Sequence, residues 1–155
     1  MKTLMFLAVI LMALSARADS VTDRPGWAVF PTGKTYDALV DAIPSAVRSE
    51  KLAVVTQAGP TAAAAQRGIT IPGNRVFGVY NNDYAVQVLN LSTAAMIEAP
   101  IRLYVTENPD GTATLSYKLP SHVFAPYMDE GGAGLQEIAA ELDLKFAAIA
   151  AAAVK

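Results

Sequence analysis

His122 is the only histidine in the chain and stands in LPSHVFAPY between Pro120 and Pro126. A lone imidazole has two uses in chemistry, as a general base or as an axial ligand to haem. Met128, six residues on, is a residue type that supplies the opposite axial ligand. No cysteine exists anywhere, and a single histidine with no neighbouring carboxylate pair lacks the spacing of a metal site. The expectation is therefore no metal, with His122 and Met128 as the alternative pair, and no catalytic residue. The serines and threonines have no base other than His122, and no nucleophile elbow is present. A second polar cluster, Tyr80-Asn81-Asn82-Asp83-Tyr84, falls where a strand runs into a helix. Backbone donors at a helix start attract anions, but Asn81 or Asn82 would cap this helix and Asp83 would repel an anion. Gly131-Gly132-Ala133-Gly134 has the composition of a backbone nest, with Asp129 and Glu130 beside it again opposing an anion. Asn90-Leu91-Ser92 matches a glycosylation sequon but lies on a predicted helix. The residues proposed to line a ligand site are Tyr80, Asn81, Tyr84, Arg102, His122 and Tyr127, aromatic and hydrogen-bonding groups suited to orienting a small apolar molecule.

The compartment is read from the first residues. Met1-Lys2 is a short basic start, Leu4 to Leu14 is uninterrupted apolar sequence, and Ala16-Arg17-Ala18 places small residues where a signal peptidase needs them. The apolar run is well short of the ~20 residues that span a bilayer. Cleavage after Ala18 is expected to send the protein to a bacterial periplasm or the medium, with no membrane attachment afterwards. Losing Lys2 and Arg17 leaves ten basic against fourteen acidic residues in 137, near −4. Such a balance excludes a nucleic-acid partner. With no cysteine, thiol chemistry and disulfides are excluded too, and packing alone must hold the fold.

The elements that position these groups can be read in order. Residues 19–34 form a polar, turn-rich lead-in and a first strand at Trp27–Phe30 (WAVF), with TGK turning the chain. Tyr36, Leu39, Val40, Ile43 and Val47 fall on one helical face; Pro44 interrupts it, so a kink or break is expected in a helix reaching about Glu50. Leu52–Val55 (LAVV) reads as a strand covered on both faces, followed by a short alanine-rich helix from Gly59-Pro60-Thr61 to Gly68. Arg75 to Thr106 then supplies two strands expected in the middle of a sheet, joined by a helix with Ala85, Val86 and Leu89 as its buried side. Ile101–Glu107 and Thr112–Leu119 alternate around Asn108-Pro109-Asp110-Gly111, the clearest hairpin signal in the chain. LPSHVFAPY is read as irregular and MDEGGAG as a flexible loop. Leu135, Ile138, Leu142, Phe146 and Ile149 mark a long amphipathic final helix with Glu137, Glu141 and Lys145 outside.

This pattern predicts one α+β domain, a two-layer sandwich with helices on one face of a mainly antiparallel sheet. Its other face needs a cover. A second copy is the expected one, seated on Arg102, Tyr104, Leu115 and Tyr117.

The order of elements, with VYNNDYAVQVL and EAPIRLYVTENPDGTATLSYKLPS, resembles the domain-of-unknown-function family 302 from about Tyr36 to Ala153. The resemblance implies a small two-layer α/β fold that tends to dimerise, and implies no activity. Many members carry Cys-Asn-Pro at the turn and Pro-Cys before the strand; here Tyr80-Asn81-Asn82 and Pro100-Ile101-Arg102 stand instead, so no thiol or metal role carries over. Some branches of that family are linked with haem or sulfur metabolism. The function expected is an exported, non-enzymatic, dimeric module that binds a small apolar ligand or a periplasmic partner protein. The alternative is a haem- or metal-binding protein using His122.

Overall fold

The computed structural model describes residues 20–155. The signal peptide expected at 1–18 lies outside the described residues. Five strands, β1 (Trp27–Thr35), β2 (Ala53–Ala58), β3 (Asn74–Tyr80), β4 (Ile101–Glu107) and β5 (Thr112–Lys118), form one antiparallel sheet in the order β1-β5-β4-β3-β2. The helices are α1 (Tyr36–Ser49), α2 (Thr61–Ala65), α3 (Asn82–Leu91), α4 (Pro120–Phe124) and α5 (Met128–Val154). This is the α+β sandwich expected from the sequence, with β4 central and β3 beside it.

Strand alternation decides which residues form the core. Phe77, Leu103, Val105, Ala113, Leu115 and Tyr117 are buried on the face shared with Leu39, Ile43 and Val47 of α1 and Leu135, Phe146 and Ile149 of α5. Leu115 and Tyr117 therefore belong to the core and not to the opposite face. Only Arg102 and Tyr104 of the four residues expected there are found on it.

Several boundaries differ from expectation. β1 continues through Thr32–Thr35, with its register against β5 shifting there instead of turning away. α1 runs unbroken through Pro44: Ile43, Ala46 and Val47 are buried around it, and that packing offsets a cost of about 3 kcal/mol. β2 is an edge strand, largely exposed, with Val55 half in solvent. Its apolar run starts at Leu52, which is buried just before the strand. On α3 the buried positions are Ala85 and Val88, one turn apart, while Val86 and Leu89 are about half exposed. LPSHVFAPY folds into α4 and a 3-10 turn, Ala125–Tyr127. MDEGG is the first turn of α5, kinked where Gly132 takes φ 55° and ψ −148°.

The lead-in is not loose. Ser20 Oγ donates to Asn108 Oδ1 (2.9 Å), which also accepts from Thr114 Oγ1 (2.9 Å) on the open face of the sheet. Seven residues later Trp27 pairs with Lys118 at the far end of β5. The segment between must run the length of that strand. Thr114 and Ser116, which point to the open side, are accordingly buried. So the chain itself covers part of the face expected to be bare. No helix among the described residues is long and apolar enough to cross a membrane.

Candidate functional site

Cross-strand register builds the floor of the site. Trp27 of β1 pairs with Lys118 of β5, Leu103 pairs with Tyr117 so that Arg102 of β4 is next to Lys118, and Arg102 pairs with Gly78 of β3. Trp27, Lys118, Arg102 and Gly78 thus form one row across four strands on the open face. The next row is Val29, Ser116, Tyr104 and Val76. At Gly78 any side chain would strike Thr56 and Pro100, so Pro100 closes the row on the β3 side.

Above this floor lies a groove of about 620 Å³. Its floor is Trp27, Arg102, Tyr104, Val76 and Asn74, and one end is walled by His122, Val123, Pro126 and Glu98. Asn74 Nδ2 donates to Tyr104 Oη (2.5 Å), which makes the far end polar. Glu98 accepts from Tyr127 Oη (2.8 Å), and that bond holds the phenol above its ordinary pKa. Arg24 and Lys118 approach the Trp27 ring at 5.2 and 5.9 Å from its centroid, within cation–π range.

His122 owes its place to a glycine. Gly26 has φ 75°, and a side chain there would run into the imidazole ring, so the ring packs flat on bare backbone. The Gly26 carbonyl accepts from Leu119 N (2.9 Å), tying the start of β1 to the chain entering α4. Asp143 accepts from Ser121 N (2.9 Å) and fixes the start of that helix.

Arg102 and His122 are brought together in the groove. Tyr127 reaches its edge through Glu98. Tyr80, Asn81 and Tyr84 lie elsewhere, around a small apolar cavity of about 40 Å³ between β3, α3 and α5 that also touches Phe124 and Phe146. Met128 packs against the core and does not line the groove with His122. Among the described residues no group of three or more His, Cys, Asp or Glu side chains could hold a metal. Trp27, Lys118, Tyr104 and Asn74 are groove residues that sequence reasoning missed. Outward alternation marked Tyr104, but nothing local marked the others.

The turn cluster is structural. Asn81 Oδ1 accepts from Asp83 N (2.8 Å) and Tyr84 N (3.3 Å), and its Nδ2 donates to the Lys51 carbonyl (3.0 Å). Asn81→Ala should cost about 1–2 kcal/mol, the upper end of a lost cap because the Lys51 bond goes too. Urea denaturation measures it, and a change under ~0.3 kcal/mol would refute this role. Tyr84 Oη donates to Glu141 Oε1; burial first, then that carboxylate, drives the phenol pKa well up.

An antiparallel five-stranded α+β sandwich with a groove on its open face is the class of protein that these observations define. The chain belongs to the family described as Domain of unknown function DUF302, whose model matches residues 29–153. Its fold is similar to the crystal structure of an uncharacterized conserved DUF302 protein from Bacillus stearothermophilus. The TM-score is 0.73 at 19% identity, over 85% of this chain and 100% of the other. No curated protein matches. Trp27 and the segment from Ser20 to Gly26 precede the family match.

Proposed function

We propose that this protein is an exported, non-enzymatic module that acts as a homodimer and holds a small, mostly apolar ligand in the groove on its open sheet face. The observation that supports it most is the groove itself, of a volume that suits a small molecule, with Val76, Tyr104, Val123 and Pro126 offering apolar contact. A second copy seated on Tyr104 would close the groove from the solvent side. The non-enzymatic reading is supported by the site's inventory: its only imidazole lies flat on Gly26 and makes no hydrogen bond to a described residue. A second reading, haem held by His122, draws on the same lining, because Arg102 and Lys118 suit a ligand with carboxylates.

Native mass spectrometry of protein isolated from its own periplasm tests the proposal. The expected species starts at Asp19, has twice the chain mass, carries a retained small molecule and shows no Soret band. Tyr104→Asp should split it into monomers of unchanged helix content. A ligand-free monomer would overturn the proposal. A stoichiometric Soret band lost in His122→Ala would install the second reading.

A further inference from the structure

We infer that the groove's ligand is a free amphipathic anion, its charged head between Lys118 and Arg102 and its apolar body over Tyr104 and Val76. This rests on the groove being a ligand site, as proposed above. Three observations carry it.

First, continuing the register one residue beyond the Leu103–Tyr117 pair sets Lys118 opposite Arg102 on the same face of β5 and β4. Like charges in that relation repel and destabilise a sheet, so the pair is a cost unless something negative joins it. Second, the protein does not supply that negative group. Among the described residues no carboxylate pairs with either cation, and Arg102 makes no ion pair or hydrogen bond. Glu98, the one acidic residue on the lining, accepts from Tyr127 and forms no ion pair with either cation. Among the described residues the one side-chain partner of Lys118 is the Trp27 ring. Third, Arg24 adds another cation beside that ring. Two of the ten basic residues left after loss of Lys2 and Arg17 thus line one groove, and a third stands over its Trp27, in a chain whose overall balance is acidic.

The groove supplies both halves of such a ligand's surroundings. A guanidinium facing an ammonium offers up to eight donors, enough for a carboxylate, sulfonate or phosphate. Away from that row Val76 and the ring of Tyr104 continue the floor, while Val123 and Pro126 form a wall.

Two fluorescent probes with one aromatic skeleton separate the claims: anilinonaphthalene sulfonate, which is anionic, and phenylnaphthylamine, which is not. Titrated into the mature protein, the anionic probe should bind about tenfold more tightly, the scale of one charge-assisted contact. Arg102→Gln and Lys118→Gln should each remove most of that preference and leave the neutral probe's affinity alone. Arg67→Gln, an exposed cation beyond α2, should change nothing. Equal affinity for both probes, or a preference indifferent to Arg102 and Lys118, would overturn the inference while the apolar groove stood. Binding of neither probe would remove the groove reading and the inference with it. Circular dichroism confirms that each variant is folded; both cations are exposed, and relieving their repulsion should not lower stability.

Discussion

Phe146→Ala is expected to destabilise the protein by about 4 kcal/mol, the middle of the range of about 3–5 for such truncations. Phe146 is 1% exposed and lies where α5 meets the centre of the sheet. Its ring stands 5.4 Å from that of Tyr117, tilted by 59°, and Tyr117 stacks in turn on Phe30 at 6.1 Å. Truncation would take away one half of an aromatic pair, worth about 1 kcal/mol beyond area burial. The larger loss is volume. Phe146 already borders the cavity of about 40 Å³ beneath α3, so the space vacated would join an existing void, and neighbours held by strands and a long helix have little freedom to close it. Urea denaturation should show a lower midpoint at unchanged slope. Leu144→Ala, two residues away on the exposed side of α5 at 74% exposure, should stay within ~0.5 kcal/mol. A Phe146 cost below about 2 kcal/mol would mean that α5 is not the helix that closes the core.

That contrast also marks what the sequence made legible. The period-3.6 pattern of Leu135, Ile138, Leu142, Phe146 and Ile149 identified the core face of α5, because a regular helix repeats its own geometry without reference to anything else. The hairpin was equally local: Asn108-Pro109-Asp110-Gly111 fixes the turn, with Gly111 at φ 83°, and the turn fixes the register. β2 was misread because its apolar run says nothing about whether a strand lies inside a sheet or at its edge. α3 was misread for a related reason. Val86 and Leu89 are apolar, but helix orientation is set by what packs on it, and α5 meets the side carrying Ala85 and Val88.

The groove was the least legible part. Trp27, Lys118 and Arg102 are far apart in sequence, and only strand order and register place them in one row. Alternation could say that Arg102 points outward, but not that Lys118 would be beside it. Nor could composition reveal the course of the lead-in, which depends on Ser20 finding Asn108.

Between pH 10 and pH 12 the wild-type protein should lose about 2 kcal/mol of stability that Tyr117→Phe does not lose. Burial first, then the nearby Asp143 carboxylate, pushes the Tyr117 phenol up to about 12 from an ordinary value of 10.0. Ionising it in place would put an anion among Phe30, Leu103 and Phe146, beside a carboxylate already committed to Ser121 N. The unfolded chain has no such penalty and releases its proton from pH 10 upward. Above that pH the folded state binds more protons than the unfolded one, so stability falls as pH rises. The contribution is fully present below pH 10 and gone once pH passes about 12, two units at about 1.4 kcal/mol each setting the limit. Tyr84 and Tyr127 are also shifted upward, so the wild type alone would not isolate this group. Subtracting the Tyr117→Phe curve removes those shared contributions. At pH 7 the variant should lie within ~1 kcal/mol of wild type, since the hydroxyl donates to no described residue and its loss breaks no hydrogen bond. Urea midpoints at pH 7, 9, 10, 11 and 11.5 give the difference directly. Parallel curves for the two proteins would show that the Tyr117 hydroxyl ionises without a burial penalty, and would refute its burial as the source of alkaline sensitivity.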